Sequence, residues 1–168
     1  MVGEVFLFSG ISAWLFFSAA FIFALAMKRN DLADVIWGPG FLVAMVGGWL
    51  LGNPSRAMDL RMVLAFLFVG AWAIRLFLHI GQRATSHTAE DIRYAQWRSE
   101  WGRHWIWRSY LQVFFLQGVF QQVICLPLLW IVASSPREIG VWVYPAALFW
   151  GGGLLIEAVA DEQLRRFK

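Results

Sequence analysis

Charge is scarce in this sequence of 168 residues: Asp, Glu, Lys and Arg together make up 15%, against about a quarter in ordinary soluble domains. Cysteine is scarcer still. A single residue, Cys125, lies inside an apolar run, which excludes an intramolecular disulfide and a Cys-rich metal site; it reads as a small buried hydrophobe. Also missing are a Gly-rich phosphate loop of Rossmann or P-loop spacing, a His-Glu-x-x-His pair and a nucleophile elbow. His79, His87 and His104 are too scattered to argue for a metal. No complete catalytic set assembles from the sequence alone.

Apolar residues fill the space that charge leaves. They make up 60% of the chain, and the mean hydropathy is +0.59. Even a ~150-residue soluble domain leaves about 30% of its unfolded-chain surface in water, so one soluble core could not hide this much apolar surface. Lipid is the solvent that removes the problem. The net charge of +3 comes from Lys and Arg spread over loops rather than gathered in a patch, which argues against a nucleic-acid partner.

A membrane-spanning helix needs about 20 mainly apolar residues, and the sequence divides into such lengths at its charged and Pro-containing breaks. Spans are expected over Val5 to Met27, Val35 to Gly52, Leu60 to Ile80, Ser109 to Ala133 and Ile139 to about Ala160. Gly38-Pro39-Gly40 predicts a bend or an irregular start to the second, and Pro127 a kink in the fourth. The first stretch lacks an early Lys or Arg and is too long for a signal-peptide core, so it is expected to stay as an anchor. The fold class is therefore all-α: a polytopic transmembrane bundle of about five spans, a single membrane domain over residues 1–168 with an interfacial segment at 84–106.

On a helix, that segment places Tyr94, Trp97, Trp101 and Trp105 on one side and Arg93, Glu100 and Arg103 on the other. This is the pattern of a helix lying in the headgroup region with its rings sunk toward the acyl chains; anchoring alone or a lid over a lipid-facing entrance would both account for it. Cytoplasmic loops are enriched in Lys and Arg. Five spans put Lys28, Arg29, Arg83, Arg93, Arg98, Arg103, Arg108, Arg165, Arg166 and Lys168 on one side and Arg56, Arg61 and Arg137 on the other. The N-terminus is expected outside and the C-terminus inside, in a bacterial inner membrane in preference to the endoplasmic reticulum.

Ionisable groups within a span are costly and default to functional candidates. Arg75, His79 and Arg83 form a basic stripe at four-residue steps; Glu157, Asp161 and Arg165 repeat that spacing on the last helix, with Lys168 near the same face. Opposite stripes invite pairing, either as structural salt bridges or as the lining of a cytoplasm-facing cavity. Gln117 and Gln121, followed one turn later by Cys125, could face the same interior or bond between helices. Gly151-Gly152-Gly153 would allow close helix packing or leave room for a ligand.

Five segments occur in an order that resembles a known family: Asp34-Val35-Ile36-Trp37-Gly38-Pro39-Gly40-Phe41; Trp72-Ala73-Ile74-Arg75-Leu76 on to His79 and Arg83; Glu90-Asp91-Ile92-Arg93-Tyr94; Phe115-Leu116-Gln117-Gly118; and Glu157 through Lys168. They are similar to the DUF1295 membrane proteins, relatives of the steroid 5-alpha-reductases. The resemblance implies a membrane oxidoreductase that uses NADPH to reduce a carbon-carbon double bond in a steroid-like or other lipid enone. It implies Glu157 and Asp161 at cofactor hydroxyls or amides and Arg165 or Lys168 at its phosphates, with Arg75, His79, Gln117 and Gln121 lining a cavity. Family members continue past the equivalent of Phe167-Lys168 into segments that carry most of the nucleotide-binding groups. This chain is thus expected to hold the substrate half of a cavity and only the edge of a cofactor site. The alternatives are a membrane methyltransferase of the isoprenylcysteine type and a non-enzymatic transport or assembly subunit.

Overall fold

The computed structural model describes residues 2–55, 57–86 and 89–167; Arg56, His87 and Lys168 lie outside them. Backbone N–H and C=O groups find no partner in hydrocarbon, so an apolar chain in lipid must satisfy them within helices. The described residues do so. The order is α1 (Val2–Met27), α2 (Leu32–Gly52), α3 (Leu60–Ser86), α4 (Ile92–Trp101), a 3-10 turn (Gly102–His104), α5 (Trp105–Arg108), a π-helical stretch (Ser109–Phe115), α6 (Leu116–Ala133) and α7 (Val143–Phe167). Five of these helical runs are long and apolar enough to cross a membrane.

The spans are longer than the apolar runs that announce them. α2 begins at Leu32, and Pro39 sits inside it without breaking it. The helix is continuous across Gly38-Pro39-Gly40, although Pro39, as its eighth residue, cannot donate a hydrogen bond to the Val35 carbonyl. α3 runs on through Arg83 to Ser86 and takes up the start of the segment assigned to the interface. The fourth span opens with the π-helical stretch instead of a regular helix, and Pro127 lies within α6. α7 continues through the charged Asp161-Glu162 to Phe167.

α2 is the centre of the bundle, and glycine puts it there. A Cβ at Gly52 would stand 2.5 Å from Val5 Cα on α1, and one at Gly38 would stand 2.8 Å from the Ala73 carbonyl oxygen on α3. Both neighbours are backbone, so neither can move aside. α1 meets α2 along a stripe of buried residues four apart, Val5, Ser9, Ala13 and Phe17. Phe41 and Met45 of α2 pack with Cys125 and Leu129 of α6, as the reading of Cys125 anticipated. A second cluster joins Phe17, Tyr94 and Phe114.

Polar bonds stitch each end of the bundle. At one end, the buried Asn30 donates its backbone N–H to Glu90 Oε1 (2.6 Å) and its side-chain Nδ2–H to Ser109 Oγ (2.8 Å). At the other, Asn53 Nδ2 donates to the Val132 carbonyl (3.1 Å), and Asp59 ties two loops together. Asp59 accepts from the N–H groups of Met62 (2.9 Å) and Arg137 (3.1 Å). Burial pushes the Asp59 carboxyl up, but these bonds and the Arg61 guanidinium outweigh it and hold the group below the usual carboxylate range.

α7 is the exception to the packing. None of its described residues is buried; Leu148 and Phe149 are 77% and 82% exposed. A Cβ at Gly151, Gly152 or Gly153 would meet nothing within 4 Å, so the close packing considered for this triplet does not occur among the described residues. Apart from ion pairs, α7 is joined by a stacked pair of rings, Phe68 and Trp150, 4.5 Å apart.

The two glycine environments give a direct test. Gly38→Ala is expected to force α2 from α3 and lower resistance to unfolding in detergent by ~1–3 kcal/mol, whereas Gly152→Ala should leave it unchanged or slightly raised. Equal effects of the two would mean that α2 and α3 do not pack through their backbones.

Candidate functional site

The opposite stripes pair only in part. Arg75 donates from Nη1 to Asp161 Oδ2 (2.8 Å) and from Nη2 to Glu157 Oε1, so one guanidinium bridges two turns of α7. His79 Nε2 lies 3.6 Å from Asp161 Oδ1. The pairing stops there. Arg83 turns instead toward Asp91, at 3.6 Å, and Arg165 and Arg166 both close onto Glu162 of their own helix.

Gln121 and Gln117 part company as well. Gln121 is fully buried, and its Nε2 donates to the Trp37 carbonyl (2.8 Å), one turn before Gly40. Without a Cβ on Gly40 the amide fits; with one it would be struck at 2.3 Å. Gln121 therefore bonds helix to helix. Gln117 instead lines an open crevice of about 410 Å³ between α2, α3 and α6, with Asp34, Trp37, Leu76, Ile80 and Arg83. Its Oε1 is buried and accepts no hydrogen bond.

Asp34, Ile80 and Arg83 also line a larger cleft of about 580 Å³, so the two spaces join. The outer one is charged. It carries Arg29, Arg83 and Arg93 against Asp31, Asp34, Glu90 and Asp91. Asp91 opens α4 by accepting the Arg93 N–H (3.0 Å), and the Arg93 guanidinium bonded to it, helped by Arg83, holds its carboxyl below the usual carboxylate range. The smaller space adds Trp37, Leu76 and Gln117 to the three residues it shares.

Asp34, which lines both spaces, belongs to a pair that the stripe reasoning missed. Tyr94 donates its hydroxyl to Asp34 Oδ1 (2.7 Å), and the Gln117 amide lies beside that hydroxyl. Tyr94 is 4% exposed. This corrects the view of α4 as a helix with all its rings toward acyl chains, because Tyr94 and Trp101 pack on the bundle while Trp97 stays 40% exposed. The physical reason is the phenol's polar tip, which finds an acceptor only on α2. The signal was in the sequence, since Asp34 and Tyr94 each stand in one of the quoted segments.

A dinucleotide would need cations for its phosphates and carboxylates or amides for its hydroxyls. Of the residues singled out for that role, Lys168 lies outside the described residues and the others already have partners. Glu157 and Asp161 are held by Arg75, and Arg165 and Arg166 by Glu162. At the cleft, four carboxylates face three guanidiniums, a balance that disfavours a polyphosphate. Among the described residues, no group of three or more His, Cys, Asp and Glu could hold a metal ion.

Five apolar spans, stitched at both ends by polar bonds and opening at one end into a charged cleft, define a polytopic helical membrane protein. Within that class the chain belongs to the DUF1295 family, described as a protein of unknown function, whose sequence model matches residues 20–168. Neither a curated protein nor a solved structure matches it.

The Arg75 bridge predicts a mutational asymmetry. A charge left uncompensated at the centre of a span costs about 2.5–3.5 kcal/mol or more, and Arg75→Leu, which strands Glu157 and Asp161 nearer the helix end, should destabilise the protein by roughly 2–3 kcal/mol. Adding Glu157→Gln and Asp161→Asn should recover most of the loss. An unfolding series in detergent checks this, and a triple variant no better than Arg75→Leu would mean that the bridge does not hold α7.

Proposed function

We propose that the crevice receives the carbonyl end of a steroid-like or other lipid enone, and that the chain forms the substrate half of a membrane reductase whose hydride donor is NADPH. The observation that carries this reading is the Gln117 amide, a hydrogen-bond donor that lines the crevice beside Trp37, Leu76 and Ile80. A space of this size suits a small ligand. Reduction of an enone develops negative charge on the carbonyl oxygen, and donors fixed at that point stabilise it. Tyr94 gives its one proton to Asp34, so the phenol positions that carboxylate and does not itself bond the substrate. The resemblance to the steroid 5-alpha-reductases supports NADPH as the source of hydride.

The same reading sets the membrane orientation, with the charged cleft and the C-terminus cytoplasmic and the N-terminus outside. It is supported by the ten Lys and Arg residues at the cleft end against three at the other, and a bacterial inner membrane is the preferred setting. A second reading, a non-enzymatic subunit, is favoured by one observation: Arg75, Glu157 and Asp161 satisfy one another as a helix pin.

Three measurements decide. Quenching of tryptophan fluorescence should show saturable binding of an enone steroid by the purified protein, weakened about tenfold in Gln117→Ala, the loss of one hydrogen bond to a buried oxygen. Equal binding of the analogue that lacks the carbonyl would remove the carbonyl from the site and favour the second reading. Mixed with NADPH and the enone, the 168-residue chain should leave NADPH absorbance constant; turnover would show a complete cofactor site. For topology, a cysteine at Ser135 should react with a membrane-impermeant maleimide on intact cells and one at Glu100 only after permeabilisation, and the reverse pattern inverts the protein.

A further inference from the structure

The arginines that follow α3 divide into two sets. Arg93 is held by Asp91 and Asp34, and Arg98 by Glu90 and the Lys28 carbonyl. These two work inward and tie α4 to the turn between α1 and α2. Arg103 and Arg108 differ. Among the described residues neither is paired with a carboxylate; Arg103 donates to His104 Nε2 (3.0 Å), and Arg108 lies over the Trp107 ring with its Nε buried and unbonded. Lys28, at the end of α1, also has no carboxylate partner and is exposed.

These cations stand beside apolar side chains that no protein covers. Phe23 and Met27 on the last turns of α1 are 61% and 48% exposed, and Ile106 and Trp107 are 46% and 49% exposed. The Arg98 guanidinium links the two groups, bonding the Lys28 carbonyl while lying 4.5 Å over the Trp105 ring. Gly102, at φ +50°, ends α4 and turns the chain so that the next residues leave the cleft. A span end with bare aliphatic and aromatic surface below and unpaired cations above matches the level where acyl chains give way to headgroups.

We propose that this corner of the bundle binds the headgroup of an anionic phospholipid, with Arg103 and Arg108 on the phosphate and Lys28 adding to the field. Guanidinium recognises phosphate by paired N–H donors. A zwitterionic headgroup carries its own cation and gains little from three more, so the site discriminates by net charge. The surface is separate from the crevice and stands whether or not that crevice takes an enone.

The test is the association constant of spin-labelled phosphatidylglycerol relative to phosphatidylcholine for the protein in phosphatidylcholine vesicles. The wild type should prefer the anionic lipid on the order of tenfold or more, since each surface cation contributes a factor of about five. R103Q/R108Q should lower the ratio at least about fivefold, leaving the share that Lys28 contributes, while R103K/R108K should keep most of it. Inorganic phosphate at millimolar concentration should not displace the lipid. If R103Q/R108Q does not fold, Lys28→Gln substitutes for it and should lower the ratio about fivefold. A wild-type ratio near one, an unchanged ratio in the glutamine variant, or displacement by free phosphate each overturns the proposal.

Discussion

Asn30 holds three distant stretches of chain at a single buried point. Its backbone N–H reaches Glu90 ahead of α4 and its side chain reaches Ser109 at the head of the fourth span, so the turn between α1 and α2, the loop after α3 and the π-helical stretch are fixed together. In hydrocarbon a polar group that loses its partner finds no water to replace it. The cleft depends on this knot. Glu90 is also the acceptor for Arg98, and Asp31, next to Asn30, is held by Arg29. Charged residues that would otherwise repel or fray are thereby kept around an open space.

Much of the bundle was legible because lipid imposes a simple rule on composition. The number of spans and the charged breaks follow from length and polarity alone. Boundaries were less legible, since helices run past the bilayer: α3 keeps helical geometry through Arg83, and α7 through Asp161 and Glu162, where side chains turn polar but the backbone has no reason to stop. The π-helical stretch had no signature in the apolar pattern, because its seven residues are as apolar and aromatic as any other part of that span.

The candidate site was legible in its membership and not in its pairing. Spacing by fours drew facing stripes, and Arg75 does meet Glu157 and Asp161, but Arg83 and Arg165 of the same stripes are held elsewhere. Periodicity reports which residues share a face, and it is blind to contacts between elements far apart in sequence. Tyr94 shows the limit well. On its own helix it belongs to an aromatic stripe; only the fold brings it to Asp34, sixty residues away.

The stretch Ser109–Phe115 winds more loosely than the α-helix on either side of it. Its effect is one of phase. At its head Ser109 meets Asn30; after it, Gln121 meets Trp37. Winding the same seven residues as ordinary α-helix, at roughly 100° per residue, would rotate the Gln121 half of the span against the Ser109 half. The local winding of this segment, more than the identity of its side chains, sets the phase between the two bonds.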